Sequence, residues 1–301
     1  MDFFKRLFGK KDTQPTIPQQ DSAVTAPLTE AQLQTIRASG ARPEPAQLLV
    51  GAGQSVGKQR ELNEDSLLTL TATIAGNSGS QPFGLYIIAD GMGGHQYGEV
   101  ASNAAIRVMA GYIMTKFHDY LFSLSGASLN ESLQEVMQDA INEAQRVVLR
   151  EAPGSGTTLT AALVFGQQVT IGHVGDSRAY FLYRDGRAEV ITRDHSLVKR
   201  LEELGQITAS EAAVHPQRNV LYRALGQGEM LEADIVTVPF PPGGYMLLCS
   251  DGLWGVVNEE TLKRLVFDGP TLEASCQNLV NAANAAGGPD NISAVLVQLH
   301  I

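Results

Sequence analysis

Cysteine is scarce in this sequence, with only Cys249 and Cys276 among 301 residues. Two cysteines cannot form a disulfide framework, and no Cys/His cluster has the spacing of zinc ligands. Both facts disfavour a secreted disulfide scaffold and a structural zinc module. A reducing, cytoplasmic location is therefore expected.

Long apolar runs are also missing. No stretch reaches the roughly 18 consecutive apolar residues of a transmembrane helix. The first segment, MDFFKRLFGKK, lacks the continuous apolar centre and the small-residue cleavage site of a secretory signal. Its aromatic residues are interspersed with basic ones, so residues 1–11 are predicted to contact an anionic membrane surface or a partner groove. A solvated terminus is the alternative.

Basic residues are outnumbered. The chain has 22 Lys and Arg against 32 Asp and Glu, a formal net charge of −10. Nucleic acid is therefore not expected as the main partner, because phosphate backbones are bound by basic patches. An acidic excess is typical of a domain with clustered metal-ligating carboxylates, although an ordinary acidic soluble protein has it too.

Aromatic residues are absent from residues 12–46, a segment with five prolines and many Gln, Ser, Thr and Ala. Such a composition cannot bury enough surface to offset the loss of chain entropy on folding, which predicts a flexible N-terminal tail and linker over residues 1–46. The folded domain is predicted over residues 47–301. It shows no internal repeat.

Hydrophobic periodicity within that domain changes in blocks. Residues 97–122 and 128–150 have helical periodicity, and strand-like runs precede and follow them. The segment YRDGRAEV holds an Asp-Gly turn between two strand-like runs, which predicts a hairpin. Residues 206–230 are polar and are predicted to cross the surface. Consecutive strands and consecutive helices, without strict β-α-β alternation, favour antiparallel sheets with helices outside.

Acidic residues recur where predicted strands begin or end, beside Gly, Asn or Ser. One Asp-Gly pair is most often a turn, because Asp bonds its own backbone and Gly adopts positive φ. Five such places are harder to assign to turns alone. They contain Glu64 and Asp65, Asp90, Asp176, Asp251, and Asp290.

Carboxylates gathered in one cleft repel each other unless a cation neutralises them. Mg²⁺ and Mn²⁺ take oxygen ligands of this kind. Two such ions can activate a water for in-line attack on phosphorus. The planar donor fork of Arg60, five residues before Asp65, suits the phosphate oxygens.

Eight motifs follow each other from about residue 50 to the C-terminus: RELNEDS, ADGMGGH, GTTLTAALV, GHVGDSRAY, ITRDHS, LYRALG, LLCSDGLW and GGPDNISAVLV. The series resembles that of the metal-dependent protein phosphatases of the 2C (PPM) type. The bacterial subgroup is most similar, because Met92 stands where eukaryotic members carry histidine. The resemblance implies an α+β fold, a four-layer α-β-β-α sandwich with two antiparallel sheets flanked by helices and the metal cluster at one end.

The resemblance also implies a set of metal ligands. Asp90 would bridge two metal ions, and the carbonyl of Gly91 would ligate the second. Asp251 and Asp290 would complete the shell of the first ion. Mn²⁺ or Mg²⁺ is the expected cofactor, with two core ions and room for a third.

Other site residues follow from the same motifs. Glu64 and Asp65 would serve the second ion, directly or through water, and Arg60 would bind the substrate phosphate. Met92 cannot protonate the leaving alkoxide as a histidine could. His95 is the candidate for that task, with a metal-bound water as the alternative. A histidine in a glycine-rich turn can equally be a substrate contact or a cap.

A third ion would be held by Asp176, with Asp251 as a shared ligand. The resemblance further implies a flap segment at about residues 196–230, in which Asn219 is a candidate contact to that ion. Asp194 and His195 are expected to be structural, at a turn and helix entry. Trp254 is expected to pack in the core behind Asp251.

The predicted function is that of a protein serine/threonine phosphatase, which hydrolyses phosphoserine and phosphothreonine with a metal-activated water. Its partners would be phosphorylated proteins, the products of a Ser/Thr kinase. A pseudophosphatase acting as a binding module is one alternative, although every core acid is present. The others are a two-metal hydrolase of small phosphoesters or nucleic acid, and a phosphatase of the same family that acts on anti-sigma-antagonist proteins.

Overall fold

The computed structural model describes residues 45–76, 79–93, 97–123, 129–228 and 231–301. The predicted tail lies outside this part of the chain except for its last two residues. So do the predicted membrane or partner contact of residues 1–11 and the side chain of His95. None of the helices in the described ranges combines the length and apolarity needed to cross a bilayer.

The strands, in chain order, are β1 Gln47–Ser55, β2 Asp65–Gly76, β3 Gly79–Met92, β4 Gly156–Thr157, β5 Leu159–Phe165, β6 Gln168–Val174, β7 Arg178–Leu182, β8 Ala188–Val190, β9 Asp234–Pro239, β10 Tyr245–Cys249 and β11 Ile292–His300. The helices are α1 Gly98–Phe122, α2 Leu133–Glu151, α3 Leu197–Glu203, α4 Ala209–Ala213, α5 Asp251–Trp254, α6 Glu259–Phe267 and α7 Leu272–Ala285.

Two antiparallel sheets form the centre of the domain. One has the strand order β1-β11-β10-β7-β8, and the other has the order β2-β3-β5-β6-β9, with β4 paired to the end of β3. The predicted Asp-Gly hairpin joins β7 to β8 at the edge of the first sheet. Sequential neighbours such as β2 and β3 pair antiparallel, as the blocks of strands predicted.

Three hydrophobic clusters show that the domain has four layers. On β3 the side chains of Leu85 and Ile87 pack with α1 and α2, while those of Tyr86 and Ile88 pack against the other sheet. A third cluster lies between that other sheet and α6 and α7. Alternate residues of β3 therefore face two different cores, which is why the run LYII is apolar throughout. The predicted four-layer α-β-β-α sandwich is confirmed.

The helix α2 is specified locally. Ser132 and Glu135 form a reciprocal capping box at its N-terminus. Val136, Met137 and Ala140 begin a buried stripe at helical spacing that faces the second sheet. The stripe of α1 is buried in the same way and includes Met109 and Ile113.

Two features differ from the sequence prediction. Residues 206–228 are mostly exposed, but Ala224 and Leu225 are fully buried, and Leu225 exchanges backbone hydrogen bonds with Thr157 of β4. This surface segment therefore enters the core near its C-terminal end. The segment DGLW, for which no helix was predicted, is the short helix α5, which begins at Asp251.

Candidate active site

One pocket of about 220 Å³ collects most of the predicted site residues. It lies where β3 ends, where α5 begins and where the loop before β11 passes. The predicted residues that line it are Arg60, Glu64, Asp90, Gly91, Asp176, Asn219, Asp251 and Asp290. Asp65 does not line this pocket, because it is buried beside it, opposite Asp90 in the ladder of β2 and β3.

The carboxylates surround the pocket without converging on one point. In the described part of the chain, no three Asp, Glu, His or Cys side chains are already gathered as a ligand set for a metal ion. Asp290 is instead paired with Arg60, whose Nη2 donates to Oδ2 at 2.7 Å. The case for a metal therefore rests on the chemistry of the donors and on their unmet bonding.

Two carboxylate oxygens in this cluster are buried without a hydrogen-bond partner, Oδ1 of Asp65 and Oδ1 of Asp251. A buried carboxylate oxygen without a partner is costly, and a cation is the natural partner for it. The donors are all oxygens, as Mn²⁺ and Mg²⁺ prefer. The residues present therefore fit an oxygen-liganded divalent ion.

Burial, and after it the repulsion between neighbouring carboxylates, raises the pKa values of these acids. Burial and then the charges of Asp65 and Asp251 raise the pKa of Asp90 well above its usual value. Burial raises the pKa of Asp65 to about 7, although hydrogen bonds from two serines oppose the shift. Burial and the charge of Asp290 raise the pKa of Asp251 to about 6. Asp176 has a raised pKa for the same reasons.

These shifts predict how stability depends on pH. In the unfolded chain Asp65 and Asp251 titrate near 3.8, and in the folded protein near 7 and 6. The folded state therefore binds more protons between these values, and its stability falls as the pH rises through them. Melting temperatures in chelator should decrease from about pH 4 to about pH 7, the range between the unfolded and folded pKa values. The increase in melting temperature that Mn²⁺ produces should become larger over the same pH range, because the ion displaces protons from the carboxyl groups.

The comparison requires melting curves at constant ionic strength, with chelator and with saturating Mn²⁺. Asp65→Asn should flatten the dependence in chelator because it removes the group with the pKa of about 7. A melting temperature that rises with pH in chelator would contradict the assignment.

Asp65 is held by two serines that the sequence analysis did not single out. Its Oδ2 accepts hydrogen bonds from Oγ of Ser250 at 2.8 Å and from Oγ of Ser293 at 2.7 Å. Ser250 directly precedes Asp251, and Ser293 is the second residue of β11. The carboxylate of β2 is thereby tied to the end of β10 and the start of β11.

Asn291 joins the loop before β2 to the loop before β11. Its Nδ2 donates to the carbonyls of Val56 and Leu62 at 2.8 and 2.9 Å, and its Oδ1 accepts from the backbone N–H of Glu64 at 2.8 Å. Its own backbone N–H donates to Oδ1 of Asp290 at 2.9 Å. Asn291 therefore sets the position of the segment that carries Arg60 and Glu64. Its only signal in the sequence is its place in GGPDN.

The backbone of Asp90 is fixed by the two threonines of the GTT motif. Its N–H donates to Oγ1 of Thr158 at 3.0 Å, and its carbonyl accepts from Oγ1 of Thr157 at 2.9 Å. A third bond comes from the N–H of Thr158 at 2.8 Å. The Asp90 side chain lies at the pocket, where it is hydrogen-bonded to the side chain of Asp251.

A larger pocket of about 460 Å³ adjoins the first and shares Asp176, Asn219 and Asp251 with it. Asn219 lies on the predicted flap segment, whose helices α3 and α4 contribute to this second pocket. Asp176 follows the turn at Gly175, which is bonded twice to His195: the N–H of Gly175 donates to Nδ1, and its carbonyl accepts from the His195 N–H. His195 has the structural position expected of it.

Known proteins are similar to this chain over most of its length. The family model of protein phosphatase 2C matches residues 50–292. The serine/threonine phosphatase stp of Listeria innocua is 36% identical over 247 residues, which is 81% of this chain and 93% of that protein. Protein phosphatase PhpP of Streptococcus pneumoniae is 34% identical and covers 72% of this chain and 86% of its own length.

Solved structures are similar over the same region. The Mycobacterium tuberculosis serine/threonine phosphatase PstP/Ppp is 34% identical, with a TM-score of 0.68 over 85% of this chain and 100% of that one. A structure of the PstP catalytic domain in complex with two manganese ions is 32% identical, with a TM-score of 0.67 and the same coverage. The match over residues 50–292, together with the two-sheet sandwich and its acidic pocket, shows that the chain belongs to the protein phosphatase 2C family.

Proposed function

We propose that this protein is a metal-dependent protein serine/threonine phosphatase, which hydrolyses phosphoserine and phosphothreonine in phosphorylated proteins. The observation that carries the proposal is the pocket of buried carboxylates with unpartnered oxygens on Asp65 and Asp251, at the sheet ends of a protein phosphatase 2C fold. The relatives from Listeria innocua and Mycobacterium tuberculosis carry the name serine/threonine phosphatase. One of them was solved with two manganese ions.

The carboxylates would hold two Mn²⁺ or Mg²⁺ ions. When bound, these ions lower the pKa of an attacking water and offset negative charge on the phosphoryl oxygens. We assign Asp90 to both ions, the Gly91 carbonyl to the second, and Asp251 with Asp290 to the first. Both Asp90 and Gly91 line the pocket at the end of β3.

The second ion is assigned to Glu64 and Asp65. Burial raises the pKa of Glu64, as it does for the other acids, and Glu64 lines the pocket. Asp65 presents its unpartnered Oδ1, since its Oδ2 is taken by the two serines. A third ion is assigned to Asp176 and Asp251, with Asn219 as a contact from the flap; all three line both pockets.

Arg60 is assigned to the substrate phosphate. It lines the pocket, its side chain is 46% exposed, and Nη2 contacts only one oxygen of Asp290. The remaining donors of the guanidinium are suited to phosphoryl oxygens. Asp290 would thus orient Arg60 as well as ligate the first ion.

Arg60→Ala should lower kcat/KM for a phosphothreonine peptide by about 10- to 100-fold, because a charge-assisted phosphate contact of roughly 1.5–3 kcal/mol is lost. Arg60→Lys should recover part of the loss, since it restores the charge without the planar fork. Mn²⁺ affinity measured by calorimetry should not fall, because Asp290 is released for the ion. Arg150→Ala is the matched control, because Arg150 lies on the surface of α2 and pairs with Glu151. An unchanged kcat/KM in Arg60→Ala would refute the assignment.

The leaving group requires a proton. Met92 lines the pocket, and its thioether carries no proton to donate. His95 lies outside the described residues, so its role as the acid stays a prediction. The pH–rate profile of His95→Ala checks this role. Loss of the decrease in rate at high pH would support His95 as the acid. An unchanged profile would indicate that water supplies the proton.

The activity itself is tested with a phosphothreonine peptide and p-nitrophenyl phosphate, in Mn²⁺ and in chelator. Hydrolysis should require the ion and return when Mn²⁺ is restored. Turnover that persists in chelator would overturn the mechanism. Peptide binding in Mn²⁺ without turnover would instead support the alternative of a binding module.

Phosphorylated proteins are the substrate class. We further propose that a Ser/Thr kinase produces them and that residues 47–301 form the catalytic domain, since β1 begins at Gln47. The cytoplasmic location and the membrane contact of residues 1–11 stay predictions. Sedimentation of the full chain and of a chain lacking residues 1–11 with anionic liposomes tests that contact.

A further inference from the structure

Trp254 does more than pack in the core. It is the single tryptophan of the chain and the last residue of α5. Its ring packs partly buried against the cluster between the first sheet and helices α6 and α7, as the sequence predicted. In addition, its Nε1–H donates to the backbone carbonyl of Asp176 at 3.0 Å. This hydrogen bond links α5 to the turn that carries the proposed ligand of the third ion.

The direction of that hydrogen bond is fixed by a stacked arginine. The guanidinium carbon of Arg178 lies 3.5 Å from the centre of the Trp254 ring. Arg178 is itself held by a bidentate pair with Asp194, in which Nε and Nη2 donate to the two carboxylate oxygens at 2.9 and 2.7 Å. A planar cation fixed in this way holds the face of the indole, and therefore the N–H in its plane.

The other end of α5 carries Asp251. One helical turn separates it from Trp254, and that turn is closed by a hydrogen bond from the N–H of Gly255 to the Asp251 carbonyl at 2.8 Å. Asp251 and Asp176 line both pockets. The hydrogen bond from Trp254 is thus a short, direct connection between the backbones that bear these two carboxylates.

We propose that Trp254 is a positioning residue for metal binding: its indole N–H holds the Asp176 turn at the distance from Asp251 at which both carboxylates can serve one ion. This rests on the ligand role proposed above for Asp176. If Trp254 only packed in the core, its role would depend on the ring alone. If it positions Asp176, its role depends on the N–H as well. Variants that keep the ring and lack the N–H therefore distinguish the two roles.

The first measurement uses the full chain without its ion, in which all tryptophan emission comes from Trp254. Mn²⁺ is paramagnetic and should quench this emission as it fills the site at Asp176, whereas diamagnetic Mg²⁺ should not quench comparably. Asp176→Asn should remove that quenching phase.

The second measurement compares two replacements of Trp254 by calorimetric titration with Mn²⁺. The isosteric benzothiophene analogue of tryptophan retains the fused ring over Arg178 and lacks the N–H. It should bind the Asp176-dependent ion about three- to tenfold more weakly, the factor expected for one lost hydrogen bond. Its melting temperature in chelator should stay close to that of the natural chain. Trp254→Leu, which lacks the ring too, should lose both affinity and thermal stability.

Tyr245→Phe is the matched control, because Tyr245 packs against Phe267 in the same core. It should leave Mn²⁺ affinity unchanged. Unchanged affinity in the benzothiophene variant, with the Asp176-dependent phase intact, would overturn the role of Trp254 alone. Absence of that phase in the natural chain would overturn the ligand role of Asp176 and this inference with it. The proposed phosphatase activity is assessed separately by peptide turnover.

Discussion

Asp90→Asn is expected to lower kcat by at least about a thousandfold and, at the same time, to stabilise the protein in chelator. Asp90 is the acid assigned to both ions, and a neutral amide cannot offset their charge, so several kcal/mol of transition-state stabilisation should be lost. Without the ion the same substitution relieves repulsion. Burial and the charges of Asp65, Asp251, Asp176 and Asp290 all oppose ionisation of Asp90.

The stabilisation should appear as an increase of about 2–4 °C in the melting temperature in chelator, which corresponds to about 1 kcal/mol in a domain of this size. Asparagine keeps the backbone bonds to Thr157 and Thr158. The increase in melting temperature on adding Mn²⁺ should be smaller than in the natural chain, because affinity is reduced.

Turnover of a phosphothreonine peptide in Mn²⁺ and melting curves in chelator measure the two effects on one preparation. Asp139→Asn is the control, because Asp139 lies exposed on α2 and receives one bond from Tyr112. More than a tenth of the natural activity in Asp90→Asn would contradict the role of Asp90. A lower melting temperature of Asp90→Asn in chelator would contradict the proposed repulsion between Asp90 and the neighbouring carboxylates.

Gly91→Ala is expected to destabilise the domain by about 2–3 kcal/mol, the upper part of the range for overpacking. A methyl group at this position would overlap the backbone carbonyl of Gly98 and come within 2.6 Å of the Glu64 carbonyl. Both neighbours are backbone atoms, which cannot move aside as a flexible side chain can. The N–H of Gly91 also donates to the Glu64 carbonyl at 3.2 Å, so the strain is transmitted to the segment that bears Glu64.

The clash should reduce activity as well, because Gly91 lies at the junction of β2, β3 and α1. Gly111→Ala is the matched control: a methyl group there meets no atom within 4 Å, and Gly111 lies inside α1. That substitution should be neutral or stabilise by up to about 1 kcal/mol, since alanine is the better helix former. Denaturant unfolding in chelator compares the two. Equal stability of the two variants would refute the close packing at Gly91.

Much of the architecture could be predicted because its signals are local. The run LYII alternates between two cores along β3, and an apolar strand of this kind is recognised from a few consecutive residues. The strand β1 was not predicted as such, because LLVGAGQS mixes glycines with its apolar residues and blurs the alternation. The helix α5 is one turn long, too short for any helical period to show.

The partners of the acids could not be predicted in the same way. Ser250 and Asp65 are 185 residues apart in the chain, and Asn291 and Glu64 are 227 apart. A serine or asparagine at these positions has no local pattern that names its partner. The contact of Trp254 with Asp176 is a further case, since a tryptophan after Asp-Gly-Leu reads as core packing until its N–H is located.

The sequence by itself determined the kinds of chemistry present: hard oxygen donors at strand ends, glycines beside them, an arginine for phosphate, and too few cysteines for a disulfide or zinc scaffold. It also determined the order of most strands and helices, because side-chain period is a property of neighbouring residues. Only the tertiary structure decided which carboxylate oxygens stay unpartnered, that Arg60 pairs with Asp290, and that Trp254 connects Asp251 to Asp176. The physical reason is that pairing across antiparallel ladders brings distant segments within hydrogen-bond reach, and those distances depend on the whole fold.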